Sequence, residues 1–268
     1  MKISVITPVF NGQETLQSCI QSVLNQTYPD KEYIIVDGGS NDKTVDILKT
    51  YSSNALKWIS EKDKGLYDAF NKGIGMSTGD VICFLCADDM YTHENVLRSI
   101  SNTFKSHPEY DIVYGDIIYV NRKKLDEIDR YWKSSAFRPG LFKKGWLPPN
   151  TALFIRKNVF EKYGAFNLKY KFASDVDLQY RFFEIHRLNT FYTPGILVTM
   201  RSGGVSNSSW QGMYKSLKEC YDALKSHKVR FPFLFVINTL FYRLNQVIIP
   251  KKIKKIYEAT QSNYLKQQ

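Results

Sequence analysis

Cross-links, metal knuckles and membrane spans have little to work with in this sequence. Cysteine occurs four times in 268 residues, at positions 19, 83, 86 and 220. Cys83 and Cys86 form a lone CxxC inside the apolar run VICFLC. A zinc site needs a second pair or histidines at ligand spacing, and a thiol–disulfide motif needs to open a helix. Neither context is present, so the cysteines read as reduced structural thiols, which suits a cytosolic compartment. Histidine is equally scarce: His93, His107, His186 and His227 form no ligand pattern. The longest apolar stretch, 231–250, is broken by Asn238, Arg243, Asn245 and Gln246, so no spanning helix is expected. The opening MKISVITPVF enters a strand pattern directly, and no secretory leader is expected. No GxGxxG follows the first strand, which leaves a dinucleotide site unsupported. No GxxxxGK(S/T) occurs, which excludes a P-loop nucleotidase.

What is present suits an ordinary globular chain. Apolar residues make up 43% and charged residues 24%, which excludes a collagen, a rod or a mainly disordered protein. Aromatic content of 15% is enough for a sizeable core. The net charge is +11, and it is unevenly spread. Residues 1–210 hold 26 basic and 23 acidic side chains, a net of +3, whereas 211–268 hold 11 and 3, a net of +8. A nearly neutral body therefore precedes a basic tail, which suits an anionic partner for the tail.

Strand and helix periods alternate through the first half. Ile3–Val9, Glu32–Asp37, Leu56–Ser60 and Val81–Cys86 read as strands. Gly12–Asn25, Lys43–Tyr51 (with Asn41 as its cap), Leu66–Gly73 and Glu94–Lys105 read as helices. This order implies a mostly parallel central sheet flanked by helices, an α/β fold. Ile112–Asp116 and Ile117–Asn121 read as two consecutive strands of an antiparallel excursion, and Thr151–Ile155 as a short strand. Asp175–Glu184 reads as a helix, and beyond Ser209 three helices are expected, over 211–227, 232–247 and 251–262. The domains expected are 1–210 for the body and 211–268 for a basic helical extension.

In such sheets ligands lie beyond the carboxyl ends of the strands. Asp37, Asp63, Asp88 and Asp89 all follow strands, so all fall at that edge. Acids are common in turns, but several converging carboxylates repel one another and call for a cation or donor. A paired Asp-Asp suits a hard divalent metal, Mg²⁺ or Mn²⁺, shared with substrate phosphates. Asp37 can accept a nucleobase N–H, and Gly38-Gly39 lets backbone approach a ligand.

The segments ISVITPVFNG (3–12), IVDGGSNDKT (35–44), EKDKGLYDAFNKGI (61–74), GDVICFLCADDMY (79–91) and SDVDL (174–178) resemble a family 2 glycosyltransferase of the GT-A fold. The likeness is closest to bacterial sugar transferases of exopolysaccharide and lipopolysaccharide synthesis, and covers about residues 2–206. It implies an inverting, metal-dependent transfer from a nucleotide-diphosphate sugar, UDP-linked by similarity, to a hydroxyl. Thr7, Pro8, Val9, Asp37, Gly39 and Asp63 would hold the nucleoside. The family's DxD element maps onto Cys86-Ala87-Asp88, so Asp88 would bind Mn²⁺ or Mg²⁺, with Asp89 assisting because Cys86 replaces the first acid. Asp175 matches the catalytic base, although Ser174 stands where the family has glutamate, and Asp177 is the nearby alternative. Arg201, opening RSGGVS (201–206), would close over the diphosphate. Lys62, Lys64 and Lys72 read mainly as solvated lysines, and Trp146, Pro148, Pro149 and Asn150 as an acceptor-side candidate.

The implied partners are the donor and a saccharide or polyprenyl-diphosphate-linked acceptor. Aromatic runs beside KKIKK (251–255) suit peripheral contact with an anionic membrane, at the cytoplasmic face of the plasma membrane. A helix packed on the body with a solvated basic face, or a homodimer, is the alternative for the tail. A nucleic-acid-binding module is disfavoured because the charge is confined to the tail. A sugar nucleotidyltransferase is disfavoured because Pro8–Gly12 lacks a basic, glycine-rich triphosphate loop.

Overall fold

The computed structural model describes residues 1–51, 55–203, 210–246, 253–255 and 257. Strands β1 (Ile3–Val9), β2 (Lys31–Asp37), β3 (Lys57–Ser60) and β4 (Val81–Phe84) are connected by helices α1 (Leu16–Leu24), α2 (Thr44–Lys49) and α3 (Leu66–Met76). A short strand β5 (Asp89–Tyr91) and helix α4 (Val96–Ser106) follow. Then come β6 (Ile112–Val120), β7 (Ile128–Trp132), β8 (Leu153–Arg156), α5 (Lys157–Tyr163), α6 (Ser174–Tyr180) and β9 (Thr190–Arg201). Two helices end the described part, α7 (Trp210–Ser226) and α8 (Pro232–Asn245).

The strands form one sheet in the order β3-β2-β1-β4-β8-β6-β9-β5, with β7 pairing β6 off that path. The β3-β2-β1-β4 half is parallel throughout, as the alternating sequence requires. Beyond β4 the sheet is mixed: β8 is antiparallel to both β4 and β6, β9 is parallel to β6, and β5 is antiparallel to β9. Parallel pairing is thus continuous through the first half of the sheet and returns in the β6–β9 pair. The two strands expected over 112–121 are one continuous strand, whose register against β9 shifts around Asp116 instead of breaking. Strand β9 and helix α5 had no counterpart in the sequence reading. Helix α2 starts at Thr44 without a cap from Asn41; Asp42 Oδ1 accepts the Thr44 N–H instead, at 2.9 Å. Of the helix expected over 251–262, only 253–255 and 257 are among the described residues.

Both faces of the parallel half are apolar because both are covered. Val5, Ile35 and Cys83 point to the side packed by Leu16, Ile20, Val23, Leu97, Ile100 and Phe104 of α1 and α4. Their neighbours Ile6 and Ile82 point the other way, into a cluster with Phe70, Phe160, Phe166, Phe182 and Phe183. Helix α3 lies close against β1: a Cβ on Gly73 would sit 2.3 Å from Ile6 Cγ2, so only glycine permits this approach. Leu224 of α7 and Phe235 of α8 complete the same cluster. The two C-terminal helices are thereby packed on the body. Each buried aromatic or leucine of this kind contributes about 1.5–3 kcal/mol.

A structural acid occupies the opposite, amino-terminal edge of the sheet. Glu32 is buried and accepts bonds from Ser4 Oγ, Thr78 N and Oγ1, and Gly79 N. Burial alone would raise its pKa, but these donors and Lys2 outweigh it and hold the carboxyl down at about 2. The acids at the other edge have a different arrangement.

Candidate active site

The parallel register aligns three strand ends. Val9 pairs with Asp37, Asp37 with Ser60, and Ile6 with Phe84. The loops leaving β1, β2, β3 and β4 therefore rise side by side. A Cβ on Gly12 would lie 3.7 Å from Ala87 Cβ, so the loop after β1 touches the turn that carries Asp88 and Asp89.

Thr7, Pro8 and Val9 are buried in β1. The Thr7 hydroxyl faces inward and accepts the Tyr33 hydroxyl at 3.1 Å, and the Val9 carbonyl accepts Gly38 N–H. Phe10, the next residue, is 64% exposed and is the first side chain presented at the mouth of the crevice. Asp37 is fully buried. Its carboxylate accepts Gly39 N–H, Ser40 N–H, Ser60 Oγ–H and a short bond from Ser40 Oγ–H. A carboxylate offers about four acceptor positions; three of these bonds serve the 38–40 loop and the fourth ties Asp37 to Ser60 at the end of β3. The structure thus gives Asp37 the work of shaping that loop, and a base N–H would have to displace one of these donors. Gly39 sits in the left-handed region at φ 83°. Gly38 lets Asp63 in: a Cβ there would be 2.5 Å from Asp63 Oδ2. Asp63 Oδ1 accepts Gly65 N–H at 2.8 Å, at the start of α3.

Asp88 and Asp89 differ sharply. The Asp88 side chain is 30% exposed, with Arg122 Nη1 3.6 Å from Oδ2. Asp89 is fully buried, and among the described residues neither carboxylate oxygen has a hydrogen-bond partner. Burial and the charge of Asp88 push its pKa well up, against the opposing charge of Arg201. Arg201 is itself 7% exposed. Its guanidinium donates to the Asp88 carbonyl (2.8 Å), Ser18 Oγ (2.9 Å) and Met90 Sδ (3.7 Å). Here Arg201 is a buried tie that fixes the Asp88–Asp89 turn. The glycine loop after it, from 204, lies outside the described residues.

Asp175 opens α6 and is half-buried. Its Oδ1 accepts the Tyr67 hydroxyl at 2.9 Å and Val176 N–H at 2.9 Å. Tyr67 lies on α3, two residues after Gly65, so one segment carries Asp63 and the tyrosine that steadies Asp175. Burial and the Asp175 charge push the Tyr67 phenol well up, which keeps it a donor. Cys86 links the acids: burial, then the charges of Asp89, Asp88 and Asp175, among others, raise its thiol. Cys86, Asp88 and Asp89 share the turn after β4, and Asp175 comes from the start of α6. With Asp175 as the base that the family resemblance implies, Tyr67→Phe is expected to lower turnover about tenfold with donor KM unchanged, because a loosened base costs rate before it costs binding; steady-state kinetics in both substrates check this.

Asp177, the alternative base, is locked away. It is 2% exposed and paired with Arg181 Nε at 3.0 Å and His227 Nε2 at 2.8 Å. Burial alone would raise its pKa, but His227 and Arg181 outweigh it and hold it below the usual range. Lys72 is engaged with Glu61 at 2.7 Å and the Lys62 carbonyl at 3.1 Å, while Lys62 and Lys64 are exposed. Trp146 belongs to the core, with Tyr114, Phe137, Phe142 and Phe183 rings within 6.0 Å. Trp146 is thus a core side chain, and Trp146 Nε1 and Asn150 Oδ1 are both buried without a hydrogen-bond partner among the described residues. Tyr67 and Arg122 were not singled out from the sequence, although Tyr67 stands inside GLYDAFNKG.

The donor set fits a hard divalent cation. Asp88 and the unpartnered Asp89 supply oxygens, and such ions take one or two carboxylates plus substrate phosphates. The raised Cys86 thiol is no ligand for one.

Comparison with known proteins agrees with this geometry. A family model described as glycosyl transferase family 2 matches residues 4–167. A PGL/p-HBAD biosynthesis glycosyltransferase of Mycobacterium tuberculosis is 32% identical over 217 residues, covering 76% of this chain and 79% of its own. Among solved structures, the mannosyltransferase PcManGT of Pyrobaculum calidifontis, in complex with GDP-Man and Mn²⁺, superposes with a TM-score of 0.64. It is 15% identical, and the match covers 98% of this chain and 74% of that one. S. aureus TarS 1–349 in complex with UDP-GlcNAc gives 0.63 at 16% identity, over 91% and 73%. A longer TarS chain is matched over 40% of its length. These likenesses establish a GT-A fold.

Proposed function

The chain belongs to glycosyl transferase family 2 and is a glycosyltransferase, and from that premise we propose an inverting, metal-dependent transfer of a sugar from a nucleoside-diphosphate donor to an acceptor hydroxyl. The observation that carries this reading is the pair of acids after β4, a partly exposed Asp88 beside a buried Asp89 without a hydrogen-bond partner among the described residues, on a turn that touches the loop after β1, together with Asp175 held by Tyr67 of the segment that also carries Asp63. The nucleoside would lie over the 38–40 loop, against Asp63 and the backbone of Thr7, Pro8 and Val9. Asp175 would take the proton of the acceptor hydroxyl as that oxygen bonds to the anomeric carbon and the bond to the diphosphate oxygen breaks. Attack from the face opposite the diphosphate inverts the configuration. Asp88, with Asp89, would hold Mn²⁺ or Mg²⁺, which supplies neutralising charge to the departing diphosphate. Arg122, now 3.6 Å from Asp88, is placed to follow the phosphate. The named neighbours bind UDP-GlcNAc and GDP-Man; a UDP-linked donor is our choice for this chain.

Thermal unfolding with UDP, GDP and dTDP, each with Mn²⁺ and with EDTA, tests this. One nucleotide should raise Tm by several degrees with metal only, since a ligand at 100 times its Kd adds about 2.7 kcal/mol. Equal stabilisation in EDTA would sink the metal dependence, and none at all would sink the donor class.

We place the enzyme against an anionic membrane, where a lipid-linked saccharide acceptor resides. Among the described residues no helix is long and apolar enough to cross a membrane. Helix α8 is apolar on two sides. Phe235 packs on the body and Thr239 and Asn238 bond to the 143–145 turn, while Phe233, Ile237, Leu240 and Phe241 form an exposed stripe opposite them. Exposed apolar side chains beside a segment of net +8 suit a lipid interface, where each basic residue adds about 1 kcal/mol. Phe233→Ser with Phe241→Ser should cut sedimentation with phosphatidylglycerol vesicles at least about tenfold. Wild type failing to sediment would refute the membrane reading, and loss of a dimer in the variant would assign the stripe to a second copy.

A further inference from the structure

Helix α6 begins without a cap of its own. The residue before it is Ala173, which has no side-chain acceptor, and within the first turn Asp175 Oδ1 takes only the Val176 N–H. Ser174 Oγ is buried and makes no hydrogen bond. A helix start leaves several N–H groups without intrahelical partners, and burying them unpaired is costly. The acceptor comes from a distant part of the chain. Glu219, in the middle of α7, takes the Phe172 N–H at 2.7 Å and the Ala173 N–H at 3.3 Å on Oε2. Asp175 follows two residues later.

Helix α7 holds α6 at a second point. His227, one residue past the end of α7, bonds Asp177 Oδ1 at 2.8 Å. Asp177 also pairs with Arg181, whose guanidinium donates to the carbonyls of Tyr163 and Ala165. The backbone on one side of Asp175 is thus fixed by Glu219 and on the other by His227 through Asp177. The side chain of Asp175 is fixed by Tyr67. Each of the three anchors comes from a different place: α3, the middle of α7 and the residue just past its end.

We infer that Glu219 is a positioning residue for transfer: it sets the first turn of α6 so that the Asp175 carboxylate meets the acceptor hydroxyl. The inference rests on Asp175 as the base. It also moves the boundary of the catalytic unit. Residues 211–227 carry two of the contacts that hold the base, so α7 belongs with the body and only the chain beyond it can serve location alone.

Full-length Glu219→Ala, Glu219→Gln and Asp175→Asn test it, since the half-buried Glu219 tolerates both changes. Two quantities are read: deuterium uptake over 170–177, and nucleoside diphosphate released from UDP-GlcNAc and GDP-mannose with Mn²⁺, water serving as acceptor. In Glu219→Ala the amides of Phe172 and Ala173 should exchange faster and kcat should fall about tenfold or more, with donor KM within about twofold. Glu219→Gln keeps a carbonyl acceptor and should restore both to within about threefold of wild type. Wild-type exchange and turnover in Glu219→Ala overturn the inference. So does a parallel loss of kcat, donor affinity and Tm, which marks general loosening. Asp175→Asn at full speed overturns the base assignment and this inference with it, whereas an inactive Asp175→Asn beside a fully active Glu219→Ala overturns the role of Glu219 alone. If wild type turns over neither sugar, unchanged exchange at Phe172 and Ala173 is decisive against it and faster exchange supports it.

Discussion

Asp175→Asn is expected to lower kcat by about 10²–10⁴-fold, the range that a positioned general base supplies. The substitution is conservative in every respect except the one under test. Asparagine keeps the size of the side chain and an Oδ1 acceptor, so the Tyr67 hydroxyl and Val176 N–H retain their partner. Asp175 is half-buried at the start of α6, and Arg181 and His227 both pair with Asp177. With the size of the side chain and its Oδ1 acceptor kept, stability should stay within about 0.5 kcal/mol of wild type. Donor binding should be unchanged, because the nucleoside edge around Asp63 and the 38–40 loop is carried by other strands. The measurement is kcat with donor KM and calorimetric nucleotide affinity in parallel. A kcat within threefold of wild type would remove Asp175 from the mechanism. Asp177 is a poor substitute, since freeing it would break two buried pairs, a loss of about 3–5 kcal/mol.

The parallel half of the sheet was legible because its signals are local. Buried runs such as ITPV and IIVD end in turns, each followed by a helical period, and the carboxyl-edge rule then places Asp37, Asp63, Asp88 and Asp89 together. The strand ends do align, as the Val9–Asp37 and Asp37–Ser60 pairings record. Legibility stopped where partners are far apart in sequence. β9 pairs with β6 about 80 residues away, and TFYTPGILVTMR contains a proline and a glycine that hide its strand character. The roles of single side chains were less visible still. Nothing in the sequence says that Arg201 would be buried against the Asp88 carbonyl, or that Asp37 would spend its acceptors on its own loop and on Ser60. Nor does it reveal that Glu219 of α7 takes the N–H groups of Phe172 and Ala173 just ahead of α6. Hydrogen-bond saturation is a property of the folded neighbourhood, and composition carries no trace of it. The +8 of the tail pointed to location, yet the first helix of that tail contributes Glu219 to the backbone just ahead of α6.

Asp88→Asn is expected to remove metal-dependent nucleotide binding and to cut turnover by about 10²–10³-fold, the scale on which stabilising a leaving oxyanion acts. The fold should tolerate it. What anchors this turn is the backbone carbonyl of Asp88, which receives Arg201 at 2.8 Å, and the substitution leaves that carbonyl in place. The side chain loses only a 3.6 Å pair with Arg122 that is partly exposed on both sides, worth less than about 1 kcal/mol. Its neighbour behaves in the opposite way. Asp89 is fully buried with both oxygens lacking hydrogen-bond partners among the described residues, so replacing it by asparagine removes a carboxylate that the protein alone stabilises poorly. The Tm of apo Asp89→Asn should accordingly be no lower than that of wild type, whereas its Mn²⁺-dependent rise with nucleotide should shrink. The pair of variants separates the two acids: Asp88 carries the affinity for metal with nucleotide, and Asp89 supports it from within. If Asp88→Asn keeps the full Mn²⁺-dependent shift while Asp89→Asn loses it, the metal belongs to Asp89 and the exposed carboxylate serves Arg122 instead.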